Sequence, residues 1–180
     1  MTGRARIFTA MLTAVLAVAC SGGPDMVDAD PAQLLTGFKQ QLQGALKAGL
    51  AEGPVAAIAA CSSEAPRIAA AASRDGIRMG RASHRLRNPA NSAPAWVAPT
   101  LAAYVDDPTD IEPRTVELEE GRNGYIEPIV MQPICSTCHG ESIGPEIAAR
   151  LAELYPDDRA TGFDVGELRG VFWVEYPVNR

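Results

Sequence analysis

The segment Thr115-Val116-Glu117-Leu118-Glu119, followed by Arg122-Asn123-Gly124 and then by Tyr125 to Met131, predicts an antiparallel hairpin. Val116 and Leu118 alternate with polar residues, as a half-buried strand requires. Arg122-Asn123-Gly124 supplies residues that tolerate the backbone of a tight turn, and the apolar run up to Met131 returns as the partner strand. Towards the C-terminus, Leu168 to Val174 is rich in Val, Phe and Trp and reads as a further strand. Another is expected near Ile77–Leu86. Between these lie a loop at Arg87-Asn88-Pro89-Ala90-Asn91 and a helix from about Ala95 to Tyr104. A second helix opens at Gly144-Pro145, carries Ile147, Leu151 and Leu154 on one face and stops before Pro156.

Upstream the period changes to that of helices. Asp30-Pro31 combines an N-cap with proline at the first helical position. Leu34, Leu35, Phe38, Leu42, Leu46 and Leu50 then recur at helical spacing. Gly53-Pro54 ends this long helix and opens another, on which Val55, Ile58, Cys61 and Ala65 share a face. Pro66 is expected to kink or restart it. The sum is α+β: helices first, then an antiparallel sheet with helical insertions.

Length and composition suit one globular domain: 180 residues, 47% apolar and 21% charged, with a net charge of −6. The acidic balance argues against a nucleic-acid partner. Residues 1–19 have the form of an export signal, with Arg4 and Arg6 ahead of an apolar run too short to span a bilayer. The run ends Leu16-Ala17-Val18-Ala19-Cys20, which resembles a bacterial lipobox whose cysteine, Cys20, would carry the lipid. The alternative is an ordinary cleaved signal with a coincidental cysteine. Ser21 after Cys20 leans towards the outer membrane. Residues 20–32 form a tether, and 33–180 the folded domain. The expected location is periplasmic, with a lipid anchor in a membrane.

Cys135-Ser136-Thr137-Cys138-His139 has the spacing of covalent haem attachment. Two thiols three residues apart can add to the two vinyl groups on one porphyrin edge, and the adjacent histidine is then brought beneath the iron. With this chain's four cysteines and two histidines, the pattern arises by chance roughly once in a thousand such chains. The competing readings are weaker. A zinc site needs a second ligand pair, for which only Cys61 and His84 remain. A redox dithiol needs a βαβ context, and a plain disulfide leaves His139 unexplained. One motif implies one haem c, with His139 as the proximal iron ligand.

The second face of the iron has several candidates. His84 lies among Arg81, Arg85 and Arg87 and reads as a surface histidine. Met79 reads as a core filler, and Met131 is too near Cys135 in sequence to reach round the ring. Cys61 lies on the face of Ile58 and is expected to point inward. From the residues alone it is either a buried thiol or a thiolate ligand, and a thiolate would favour ferric iron.

Several segments together resemble a family of PAS-like single-haem c-type cytochrome domains, found alone or as sensory modules of signalling proteins. They are Ala60 to Ala69 around Cys61, Arg87-Asn88-Pro89-Ala90-Asn91, Glu127 to Gly140, Leu154 to Phe163, and Val165 to Gly170. The resemblance implies a PAS-like antiparallel sheet with flanking helices, here with a long N-terminal helix. It also implies His139 and Cys61 as the axial pair, Cys61 being the distal iron ligand. No role attaches to the Arg-Asn-Pro-Ala-Asn segment beyond shaping the haem pocket. No output module follows in the sequence, so signalling does not carry over directly.

Such a haem has three candidate uses. The first is a redox or small-ligand sensor, in which a displaceable thiolate opens a site for NO or CO and a separate membrane protein is the redox or signalling partner. The second is a periplasmic electron carrier tethered beside a respiratory or photosynthetic chain. The third, a peroxidase-like enzyme, needs distal acid–base residues, and only His84 offers itself. The expectation is therefore a non-enzymic haem protein, with sensing ahead of electron transfer.

Overall fold

The computed structural model describes residues 30–178. The expected signal (1–19), Cys20 and the tether before Asp30 lie outside them. The most apolar strand, Leu168–Pro177, occupies an interior position in a four-stranded antiparallel sheet. With β1 as Arg78–Ala82, β2 as Arg114–Leu118, β3 as Arg122–Val130 and β4 as Leu168–Pro177, the order is β1-β4-β3-β2. An interior strand covered on both faces needs apolar residues at successive positions, which is why β4 does not alternate. Val171 and Val174, on opposite faces, are both fully buried.

Val171 and the partly buried Trp173 pack with Val97, Leu101 and Tyr104 of the α3 region, α3 being Ala98–Asp106. On the other face, Phe172, Val174 and Tyr176 pack with Leu35 and Phe38 of α1 (Pro31–Glu52) and Ile68 of α2 (Pro54–Ala72). Asp30 caps α1 by accepting from the Ala32 amide at 3.0 Å. Phe38 meets Phe172 edge-on at 6.0 Å, and Lys39 pairs with Glu127 of β3 at 2.7 Å. Two further helices complete the set, α4 (Ser136–His139) and α5 (Pro145–Leu154). The expected α+β architecture is thus observed, with a long N-terminal helix and helices on both sides of the sheet. Among the described residues, no helix is long and apolar enough to cross a membrane.

Several local expectations are corrected. The hairpin turn is Glu119-Glu120-Gly121, not Arg122-Asn123-Gly124. Glu120 (φ 58°) and Gly121 (φ 69°) take the left-handed backbone that the turn demands. Gly124 sits within β3 for a different reason: a Cβ there would come within 2.4 Å of the Trp96 ring. Helix α2 runs through Pro66 without restarting. Strand β1 is shorter than expected, because Ser83 turns the chain away: its hydroxyl accepts from Arg85 N–H at 3.1 Å and has the Arg169 and Arg85 carbonyls, at 2.8 and 2.9 Å, as alternative acceptors for its one hydrogen. Helix α3 begins three residues later than expected, after a turn closed by Val97 N–H on Pro94 O.

Candidate functional site

After β3 the chain passes through a short 3-10 turn, Pro133–Cys135, directly into α4, so Cys135 to His139 lie on continuous helical backbone. Cys135 and Cys138 are three residues apart and share one face of it. Gly140 ends the turn by donating to Ser136 O at 3.0 Å. A Cβ at Gly140 would lie 2.7 Å from that same oxygen, so the turn requires glycine.

A second segment, 158–163, is laid alongside the motif. Phe163 N–H donates to His139 O at 3.0 Å and Gly162 N–H to Gly140 O at 2.9 Å. His139 Nδ1 lies 2.7 Å from Ala160 O. A carbonyl only accepts, so Nδ1 carries the proton and Nε2 keeps its lone pair. Burial, together with the charges of Arg169 and Arg87, pushes the imidazole pKa down to about 3. His139 is therefore neutral at neutral pH, the form that binds a metal.

Arg87 joins the two segments. Its Nη2 donates to Cys138 O at 2.5 Å and, more weakly, to Ala160 O at 3.4 Å. Its Nε donates to Asp158 Oδ2 at 2.9 Å, while Asp158 Oδ1 accepts from Ala160 N–H at 2.8 Å. The Arg-Asn-Pro-Ala-Asn segment thus contributes a clamp on the motif, and Asn88 holds the next turn by accepting from Ala90 N–H.

Cys61 is exposed rather than pointing into the core as expected. Three residues along a helix is 300°, so Cys61 sits at the margin of the Ile58 face rather than at its centre. Ile58 is buried against Ile147 and Leu151, with Cys138 packed alongside. Even so, surrounding protein raises the Cys61 thiol pKa, opposed by the nearby charges of Arg81 and Arg87. Solvent thus reaches the residue while neighbouring protein still desolvates the thiol. Cys138 feels the same desolvation and the charges of Arg87 and Cys61. Cys61, Cys138, Arg81 and Arg87 therefore border one region, and His139 feels both arginines.

The other candidates lie elsewhere. His84 is exposed and stands edge-on to Phe163 at 5.8 Å. It borders an open depression of about 530 Å³ with Tyr104 and Leu168 that includes neither Cys61 nor His139. Met79 is core, packed with Leu35 and Phe38, and Met131 packs under Cys135 and Phe163. The thiols of Cys61, Cys135 and Cys138 are all free. Among the described residues, no three His, Cys, Asp or Glu side chains converge on a common point, so the cysteines do not build a zinc cage.

Sequence reasoning missed the arginines. Arg81, Arg85, Arg87 and Arg169 gather round the segment that holds His139, and among the described residues Asp158 is the one carboxylate hydrogen-bonded to any of them. The available signal was Arg169 just ahead of the apolar run Val171 to Val174 and Arg81 between buried Gly80 and Ala82.

A family model described as Tll0287-like matches residues 2–177 of the chain. Among solved structures, the chain is similar to the crystal structure of the cyanobacterial haem protein Tll0287. The TM-score is 0.59 at 26% identity, and the match covers 83% of this chain and 93% of that one. No curated protein sequence matches the chain.

Proposed function

The chain belongs to the Tll0287-like family, and we propose that it is an extracytoplasmic single-haem c-type protein, non-enzymic, used in redox or small-ligand sensing. The observation that carries this is the neutral His139 imidazole, oriented by Ala160 O, directly after two free thiols on one helical face. The solved relative is described as a haem protein, and the donors here fit that group. Each thiol can add across a vinyl double bond, sulfur to one carbon and hydrogen to the other, with no change of oxidation state. His139 Nε2 is free to be the proximal ligand. When bound, the haem supplies a one-electron couple and an iron with two axial positions.

Cys61 is the proposed distal ligand. It lies close enough for Cys138 to feel its charge, and no hydrogen bond among the described residues holds its sulfur. An exposed thiolate on a helix margin can leave the iron at small cost to the fold, which favours sensing over plain electron transfer. A departing Cys61 would open a site for a small gas such as NO or CO. The lipobox-like end at Cys20 supports a periplasmic, membrane-tethered location, and a separate redox or signalling protein as partner.

The test is expression with periplasmic haem-attachment machinery, followed by spectra of the ferric and ferrous forms for wild type and Cys61→Ala. Haem should survive denaturing electrophoresis, the ferric spectrum should change in the variant, and ferrous wild type should bind CO. Haem lost on denaturation sinks the covalent reading. An unchanged ferric spectrum removes Cys61, and ferrous protein that refuses CO favours an electron carrier.

A further inference from the structure

The cations round His139 outnumber their anions. Arg87 and Asp158 neutralise each other. Arg85 is spent on the Arg159, Thr161 and Gly162 carbonyls and lies over the Phe163 ring at 4.0 Å. Arg81 and Arg169 remain. Among the described residues, the Arg81 guanidinium takes part in no ion pair or hydrogen bond, its backbone being paired in the β1–β4 ladder. Arg169 donates from Nη1 to Ser83 Oγ at 2.7 Å and to Arg85 O at 3.3 Å, with its guanidinium 5.2 Å from the Phe163 ring centre. Its Nε is buried without a partner. Burial and its arginine neighbours pull the Arg169 pKa down to about 10, so the group is held where a cation is uncomfortable.

The backbone is shaped to put Arg169 there. Ile129 pairs with Gly170 and Val130 with Leu168, so Arg169 is the extra residue of a β-bulge. Bulges of this kind re-aim one side chain out of the regular alternation. Gly170 permits it: φ is +155°, and a Cβ would lie 2.3 Å from Ala82 O. Arg81 stands on neighbouring β1, opposite Phe172. Both guanidiniums are half-buried, and a cation partly withdrawn from water and left without an anion is unfavourable. Two of them beside a metal-binding imidazole mark a site built for anionic groups.

We infer that Arg81 and Arg169 form a carboxylate-binding pair that holds the two propionates of the haem. The assignment rests on the haem reading above. Carboxylates match guanidinium geometry, and two singly charged groups would offset most of the charge of Arg81, Arg85 and Arg169, which no carboxylate pairs among the described residues. The pair fixes how the ring lies between His139 and Cys61. It also raises the reduction potential, because a cation beside the iron disfavours the ferric state.

The experiment uses haem-loaded wild type, Arg81→Met and Arg169→Met, with Arg81→Lys as the conservative control. Resonance Raman spectra read the propionate bending bands, and potentiometry reads the couple. Each Met variant should move those bands and lower the midpoint potential, and Lys should restore most of both. The same band shifts should persist when Arg81→Met is placed in a Cys61→Ala background. Unmoved propionate bands in both Met variants overturn the pair, and so does a shift that disappears with Cys61, since Arg81 would then serve the thiolate. Wild type without covalent haem sinks the parent reading as well; the Raman outcomes sink the arginine assignment alone.

Discussion

The two sides of the proposed haem site are built by different means. On the His139 side, segments 135–140 and 158–163 are joined by backbone bonds at Gly140 and His139. Arg87 then ties Cys138 O, Ala160 O and Asp158 into one unit. On the Cys61 side, the sulfur sits at the margin of a helix that is anchored by other residues, Ile58 and Ile68 among them. One side is over-determined and the other is loosely held. That asymmetry suits a protein whose response lies in the distal ligand while the proximal one stays fixed.

The sharpest way to break the comparison is to delete ligands on each side. The double change Cys135→Ala, Cys138→Ala should abolish haem retention on a denaturing gel, whereas Cys61→Ala should retain it in full. Equal loss from both would show that the sides do not differ in kind.

Next in size is the clamp. Arg87 and Asp158 are both largely shielded, with side-chain exposures of 13% and 10%. Arg87→Met leaves the shielded Asp158 carboxylate without its hydrogen-bonded guanidinium, and breaking such a pair costs about 3 kcal/mol. Urea unfolding would measure it. Restoring neutrality with Asp158→Asn in the same chain should recover part of the loss, and no recovery would mean that Arg87 acts by packing alone.

Acid probes the same side. In the haem-free chain the His139 pKa of about 3 lies below its ordinary 6.5. Between those values the unfolded chain binds a proton that the folded chain refuses. The stability from a neutral His139 is thus complete above about pH 6.5 and drains away as the pH falls towards 3. At pH 5 the loss should be about 2 kcal/mol relative to pH 7. His139→Gln should flatten that slope, and an unaltered slope would place the acid sensitivity elsewhere.

Periodic elements could be read from the sequence, and contacts between distant segments could not. The leucines of α1 and the apolar run of β4 report their own burial. Asn123-Gly124 imitates a turn, yet Gly124 is needed under Trp96 and Gly121 carries the left-handed backbone. Helical periodicity put Cys61 on the Ile58 face but could not say that solvent reaches its edge. The motif and its histidine were legible because their chemistry is local. Arg87 on Cys138 O joins residues 51 apart, and Arg169 is aimed by a bulge that no residue type announces.

The smallest effect on the fold should come from Cys61→Ala, and its smallness is informative. A buried core thiol would cost well over 1 kcal/mol on truncation, because a cavity remains. An exposed one without hydrogen bonds should change stability by less than about 0.5 kcal/mol. Urea unfolding of the haem-free chain isolates this term from any iron–sulfur bond. If stability holds there while the ferric spectrum of the loaded protein changes, Cys61 acts through the metal and not through packing. A large loss in the haem-free chain would return Cys61 to the core and remove the contrast between the two sides.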